Sequence, residues 1–307
     1  MNIDAMKYSE INNFEEIINM ASAVVQAEDG DVSMNFTIQV KFSTDLLRAP
    51  QLQDVSDLAM SWQAVKPPEE LHFSHGQFIG ENGIDYIITE LENKPDSNRA
   101  LMSLISQQHL LESGDNPIPS FMILQFSRSG DTLYATTYFR ALEVSKFLRI
   151  NIEEIRQVCE RIRKIELDLK EVRLTIFAFR AYHNPSINTL QVPQLDRLGE
   201  ARIVKKLEKA PWEFASLIKD KKKHSTVVTW HAFEALAKIL EDKILSEDIP
   251  AHPNKARVIS LLRKAIDQSQ KLAEVRRKSS HHDDIQKLVA ELATTLDKLV
   301  LEFEKWK

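Results

Sequence analysis

The chain has 307 residues, of which 43% are hydrophobic and 28% charged, with a net charge of −5. That length and apolar content can bury a full core, as one large domain or as one domain with an appendage, and the acidic balance excludes a global electrostatic pull toward nucleic acid. Cys159 is the only cysteine, which excludes an intrachain disulfide and a cysteine-rich zinc site.

No run approaches the ~18 apolar residues that span a membrane. The N-terminal stretch, with Asp4, Glu10, Glu15 and Glu16, lacks the basic region of a signal peptide. A cytoplasmic protein without a membrane partner is therefore expected.

Ile11, Phe14, Ile17, Ile18, Ala21 and Val24 recur at helical spacing and predict a helix over residues 5–29. Asp29-Gly30-Asp31 then turns the chain into residues 36–42, which alternate in the manner of a strand. A polar segment ending at Pro67-Pro68 leads to a helix over 83–93. Strands are predicted at 99–106, 119–128 and 132–140, with Ser129-Gly130-Asp131 as a hairpin turn. Asn151 opens the next helix, and a strand follows over 172–179. Pro193 and Pro211 flank a connector. From Thr226 onward glycine and strand patterning nearly vanish, and three helices are predicted at 228–246, 254–278 and 283–305. Residues 279–284, Ser-Ser-His-His-Asp-Asp, read as the turn of a helical hairpin.

One stretch carries more specific information. Pro119-Ser120-Phe121, then Gln125-Phe126, Arg140, Glu143 and Asn151, resemble without a gap the core of thymidylate synthase and its dCMP hydroxymethylase relatives. That family reads Pro-Cys-His, Gln-Phe, Gln-Arg-Ser-x-Asp and Asn at the same spacings. Ser120 stands where the family has its cysteine nucleophile, Phe121 where it has histidine, and Arg140-Ala141 where it has Arg-Ser. Upstream, residues 85–101 are similar to the family's helix ending in an Asn-x-Pro-x-Ser-Arg-Arg turn, with Asn98 for the first arginine and Arg99 for the second. The resemblance covers roughly residues 73–155, about a quarter of the chain.

The resemblance implies a thymidylate synthase-like α/β (α+β) fold, a mixed sheet with packed helices, over residues 1–210. It also implies a homodimer formed sheet against sheet. Residues 211–307 have no counterpart in that family and are expected to form an all-helical C-terminal appendage, a candidate surface for a protein partner. Ile118, Met122, Leu124 and Phe126, with Val172, Leu174, Ile176 and Ala178, are expected to cover both the core and the dimer partner.

By the same resemblance, Arg140 holds the phosphate of a pyrimidine nucleotide within the subunit and Arg99 reaches the phosphate of the other subunit. Asn151 reads the pyrimidine edge, and Gln125 belongs to the same nucleotide-binding set. The residues themselves leave alternatives open. Arg140 can pair with Glu143 and tie strand to helix. Asn151, with Glu153 and Glu154 behind it, can cap a helix.

In the family a thiolate adds to the pyrimidine ring, and a serine hydroxyl is a poor substitute unless a positioned base removes its proton. Phe121 supplies no base, so no catalytic residue is expected and Ser120 marks a degenerate nucleophile position. The alternative is an enzyme that modifies a pyrimidine nucleotide by altered chemistry through Glu143, Glu153 or His183. The family's sugar-binding Asp-x-His-x-Tyr block falls near Arg180-Ala181-Tyr182-His183-Asn184, where order and spacing differ. Its catalytic-glutamate helix has no alignable counterpart, and Trp62, Glu69 and Glu70 receive no role.

Two features lie outside the resemblance. The basic run over residues 219–224 reads as a solvated loop or a contact to phosphate backbones. His281-His282-Asp283-Asp284 reads as a helix start rather than a metal site. No metal and no cofactor is expected.

Overall fold

Strand alternation is the organising feature of the first part of the chain. The computed structural model describes residues 8–112, 117–166, 168–185, 187, 191–224, 227–252, 254–278 and 283–306. Among them a mixed sheet is built from β1 (Ser9–Glu10), β2 (Val32–Ser43), β3 (Leu101–Ser103), β4 (Phe121–Ser129), β5 (Thr132–Phe139), β6 (Leu142–Glu143) and β7 (Glu171–Tyr182). The order is β1-β2-β7-β5-β4-β3, with β6 also on β7. β2 runs antiparallel to β7, β5 runs parallel to β7, and β4 and β5 form the expected hairpin, turning at Gly130 with φ +60°.

One face of this sheet carries Phe36, Ile38, Val40 and Phe42 of β2, Leu133, Ala135 and Phe139 of β5, and Val172, Leu174, Ile176 and Ala178 of β7, all buried. They share a core with the apolar sides of α1 (Glu15–Gln26), α4 (Gly83–Asn93) and α6 (Phe147–Ile165). The two short helices α2 (Ser56–Gln63) and α3 (Gly76–Ile79) precede α4, and α5 (Gln107–Glu112) follows β3.

The other face is half-buried or open and mixes aromatic with polar residues. Tyr138 stacks on Phe177 at 5.3 Å, Arg173 lies 5.5 Å from the Tyr134 ring centre, and Phe179 is 51% exposed. The residues expected to serve both faces do not do so. Leu124, Phe126, Val172, Leu174, Ile176 and Ala178 are all core members, and Ile118 and Met122 pack against the same core. Residues two apart on a strand share a face, so the outer face belongs to the intervening positions.

Two helix starts differ most from the sequence reading. The helix expected from residue 5 begins only at Glu15, because Ser9 and Glu10 pair in parallel with Val40 and Lys41 of β2. α6 begins at Phe147 rather than at Asn151. The Glu143 carboxylate accepts from the backbone N–H groups of Ser145, Lys146 and Phe147 at 2.9, 2.7 and 3.1 Å. That satisfies the exposed amides and starts the helix a turn early.

By internal contacts the chain forms two units, Met1–Pro68 with Phe73–Ile187, and Glu69–His72 with Asn188–Lys307. The second is helical: α7 (Glu200–Lys209), α8 (Phe214–Lys223), α9 (His231–Glu241), α10 (Lys255–Lys278) and α11 (Asp283–Glu304). Its boundary precedes residue 210 because Leu195, Ile203 and Leu207 are part of the helical core. The Pro193 to Pro211 segment, read as a connector, therefore contains a helix. Phe303 and Trp306 are buried against each other, and Trp306 Nε1 donates to Pro250 O at 2.8 Å. The expected turn at 279–282 lies outside the described residues. No described helix is long and apolar enough to cross a membrane.

Candidate functional site

The end of the sheet where β4 begins and β5 finishes gathers the chemistry of the first unit. Arg140 leaves β5 opposite Ser120, its backbone N–H donating to Ser120 O at 3.0 Å. Its guanidinium donates through Nε to Pro119 O at 3.2 Å and through Nη2 to Ile118 O at 3.1 Å. No carboxylate pairs with it among the described residues. The Glu143 carboxylate is spent on the start of α6, on the Ser145 hydroxyl and on the Asn184 N–H, so the Arg140–Glu143 tie is not formed. Loss of solvent lowers the Arg140 pKa from the ordinary arginine value, with Tyr182 acting the other way. The group stays cationic.

Tyr182 stands beside it at the end of β7, with the Arg180 guanidinium 5.6 Å from its ring centre. Burial pushes the phenol pKa up, the Glu143 charge adds to that, and Arg180 and Arg140 oppose it.

Helix α6 carries a second group of buried polar residues. Asn151 is an interior residue of this helix, 4% exposed, so it is not a cap. Its Oδ1 is buried with no hydrogen-bond partner among the described residues. One turn further, buried Glu154 accepts from His75 Nδ1 at 2.9 and 3.0 Å. Burial raises the Glu154 pKa, against the pull of His75. The His75 ring meets Trp62 edge-on at 4.8 Å and Phe121 at 5.6 Å, and Phe121 stacks on Phe139 at 4.7 Å. Trp62 Nε1 is also buried without a hydrogen-bond partner among the described residues.

Glycine at 76 makes this approach of α2 and α3 possible, because a Cβ there would lie 2.1 Å from Gln63 O and 2.4 Å from Ala64 O. Glu153, read with Glu154 as first-turn helix chemistry, is instead fully buried and paired with Arg156 at 2.8 Å.

The remaining predicted residues are less closely placed. Gln125, in the middle of β4, donates from Nε2 to Asn98 O at 2.9 Å. Arg99 is exposed, with no side-chain partner among the described residues. Its neighbour Ala100 accepts from Phe126 N–H, whereas Arg140 donates to Ser120. Six strand positions separate those anchors, about 20 Å at ~3.3 Å per residue. Arg99 and Arg140 of one chain are therefore not brought together.

Ser120 Oγ makes no hydrogen bond among the described residues. His183 is hydrogen-bonded to Gln26, and the Cys159 thiol is pushed up to about 12 by burial, so neither supplies the missing nucleophile or base there. Sequence reasoning missed His75, Glu154 as its partner, and Trp62. The only local signal was the aromatic flanking of His75 by Phe73 and Phe78.

The basic run is corrected as well. Residues 219–223 belong to α8, not to a loop, and three of its lysines are neutralised. Lys219 pairs with Glu304, Lys221 with Asp196 and Lys222 with Asp297, at 2.7, 2.6 and 2.7 Å. Among the described residues no group of three His, Cys, Asp or Glu side chains could hold a metal ion.

No protein-family model matches this chain, and no curated protein matches it. Among solved structures, a thermostable thymidylate synthase A from Bacillus subtilis is similar, with a TM-score of 0.36 and 18% identity over 56% of this chain and 80% of that one.

Proposed function

We propose that this chain is a divergent, catalytically inactive relative of thymidylate synthase that binds a phosphorylated, pyrimidine nucleotide-like ligand at the sheet end and acts as a dimeric scaffold or sensor. The observation that carries the reading is Arg140, a cation steered by two carbonyls and left without a carboxylate among the described residues. An anion completes such a group. The orphan acceptor Asn151 Oδ1 and the orphan donor Trp62 Nε1 support it, since a nucleobase edge offers both a donor and an acceptor. The motif resemblance around residues 119–151 supports the pyrimidine.

Inactivity follows from the missing thiol, because serine without a base does not replace the covalent step. The half-open aromatic face of the sheet supports a homodimer, in which Arg99 of one subunit would complete the site of the other. The helical unit would serve a partner.

A second reading, an active enzyme with altered chemistry on the same ligand, draws on the buried His75–Glu154 pair, a carboxyl of raised pKa beside the candidate site. One experiment separates the two. Calorimetric titration with dUMP should show binding, weakened at least about tenfold by Arg140→Ala, with no tritium released from C5-labelled dUMP in the presence of methylene-tetrahydrofolate. Binding with tritium release would favour the second reading. Absence of binding to dUMP, dCMP and inorganic phosphate would remove both.

A further inference from the structure

We propose that the helical unit contains a binding site of its own, for a neutral, largely apolar small molecule that carries one hydroxyl or N–H donor. A half-enclosed cavity of about 270 Å³ is lined by α8, α9, α10, α11 and the segment before α9. That is just below the ~300–1,000 Å³ of common small-molecule pockets, so the occupant is small. Phe233, Leu272, Leu292 and Leu296 make much of its wall, and Lys221, Lys222, His224 and Thr229 stand among the polar lining residues.

The charges in the lining decide the ligand's charge. Lys221 Nζ donates to Asp196 Oδ2 at 2.6 Å and to Thr229 Oγ1 at 2.8 Å, and Lys222 Nζ lies 2.7 Å from Asp297 Oδ1. At Lys221 a charged ligand would have to compete with a carboxylate already in place, and breaking that buried pair is costly, whereas the Lys222–Asp297 pair is exposed. A neutral ligand leaves the pairs intact.

The lining also decides the polar group. His224 Nε2 lies 3.5 Å from Asp220 Oδ1, while its Nδ1 is buried and has no hydrogen-bond partner among the described residues. With the ring proton on the nitrogen that faces the Asp220 carboxylate, Nδ1 is a lone-pair acceptor. A buried acceptor without a donor is unfavourable, and a ligand O–H or N–H relieves it. Water alone is a poor occupant, because the cavity is many times the ~30 Å³ share of one molecule and its walls are mostly apolar.

The test uses the full chain and two probes of the same shape, phenol and toluene, followed by methyl shifts of Leu and Val side chains and by calorimetry. Phenol should shift the methyl signals of Leu272, Val289, Leu292 and Leu296 and bind at least about fivefold more tightly than toluene, although toluene is the more hydrophobic. His224→Phe should bring the two affinities within about twofold. Ala293→Phe, at a half-buried lining position, should abolish both. Equal binding of phenol and toluene by the wild-type protein would overturn the proposal, as would the absence of methyl shifts at millimolar phenol. The wild-type shift map needs no variant, so a poorly folding Ala293→Phe leaves the test intact.

Discussion

Arg140 in the sheet unit and Lys221 in the helical unit are both cations partly stripped of water, and the protein satisfies them in opposite ways. Lys221, 8% exposed, faces both oxygens of Asp196 and the hydroxyl of Thr229, and its Nζ lies 5.2 Å from the Phe233 ring centre. The Arg140 guanidinium donates to the carbonyls of Ile118 and Pro119 and meets no carboxylate among the described residues. A carboxylate closes the charge internally. Carbonyls orient a guanidinium and leave its charge free for an outside anion. A run of lysines along the sequence therefore says less about binding than one arginine that meets no carboxylate among the described residues.

The sharpest way to break this comparison is to remove each cation and measure stability by urea unfolding. Lys221→Met leaves Asp196 buried and unpaired and should cost about 3–5 kcal/mol. Replacing both partners, Lys221→Met with Asp196→Leu, should recover most of that loss. A single substitution costing under about 1 kcal/mol would mean the pair is not the closed unit described.

Next in size is the pH dependence of stability, where the two units should slope in opposite directions. The folded-state pKa of Glu154 is raised by burial, so the native state holds a proton that the unfolded chain releases near ~4.3. Stability from this site is full below that value and is lost as pH rises through the raised folded pKa, at up to about 1.4 kcal/mol per pH unit. Glu154→Gln should remove this slope.

Lys221 behaves in the reverse sense. Burial lowers its folded pKa, with Asp196 opposing, so the unfolded chain holds the extra proton. Stability should rise as pH climbs from the lowered value toward ~10.4. Melting curves of the wild type and of each variant across pH 4–10 test both signs.

Arg140→Ala should change stability by only about 1 kcal/mol, the value of its bonds to carbonyls, while abolishing most affinity for dUMP. Smallest of all, Arg99→Ala should fall within about 0.5 kcal/mol of the wild type, as an exposed side chain without a partner among the described residues. On the proposed dimer reading, it should nevertheless weaken dUMP binding. Mixed dimers carrying one Arg99→Ala and one Arg140→Ala subunit should then retain a single intact site. Full binding by Arg99→Ala homodimers would confine the site to one chain.

Repeating periods were legible from the sequence. The alternation over residues 36–42 and 172–179 became β2 and β7, glycine at 130 marked the hairpin, and the apolar repeats after residue 254 became α10 and α11. These are local signals, each readable within a window of a few turns or strand positions. The adjacency of Ser120 and Arg140 was implicit in the motif order once the hairpin was recognised.

What only the tertiary structure decided is where separate segments meet. His75 and Glu154 are 79 positions apart and form one buried pair, and Glu143 starts α6 a turn before the asparagine that looked like its cap. Lys221 finds Asp196 on a turn 25 positions earlier, inside a segment read as a connector. The sheet's alternation told which residues share a face but not which face the helices would cover, and the register of β4 against its neighbours separated Arg99 from Arg140 within one chain. Periodicity is a property of one segment. The pairing of a charge, or the orphaning of a polar atom, depends on which other segment packs against it, and composition and spacing carry no term for that.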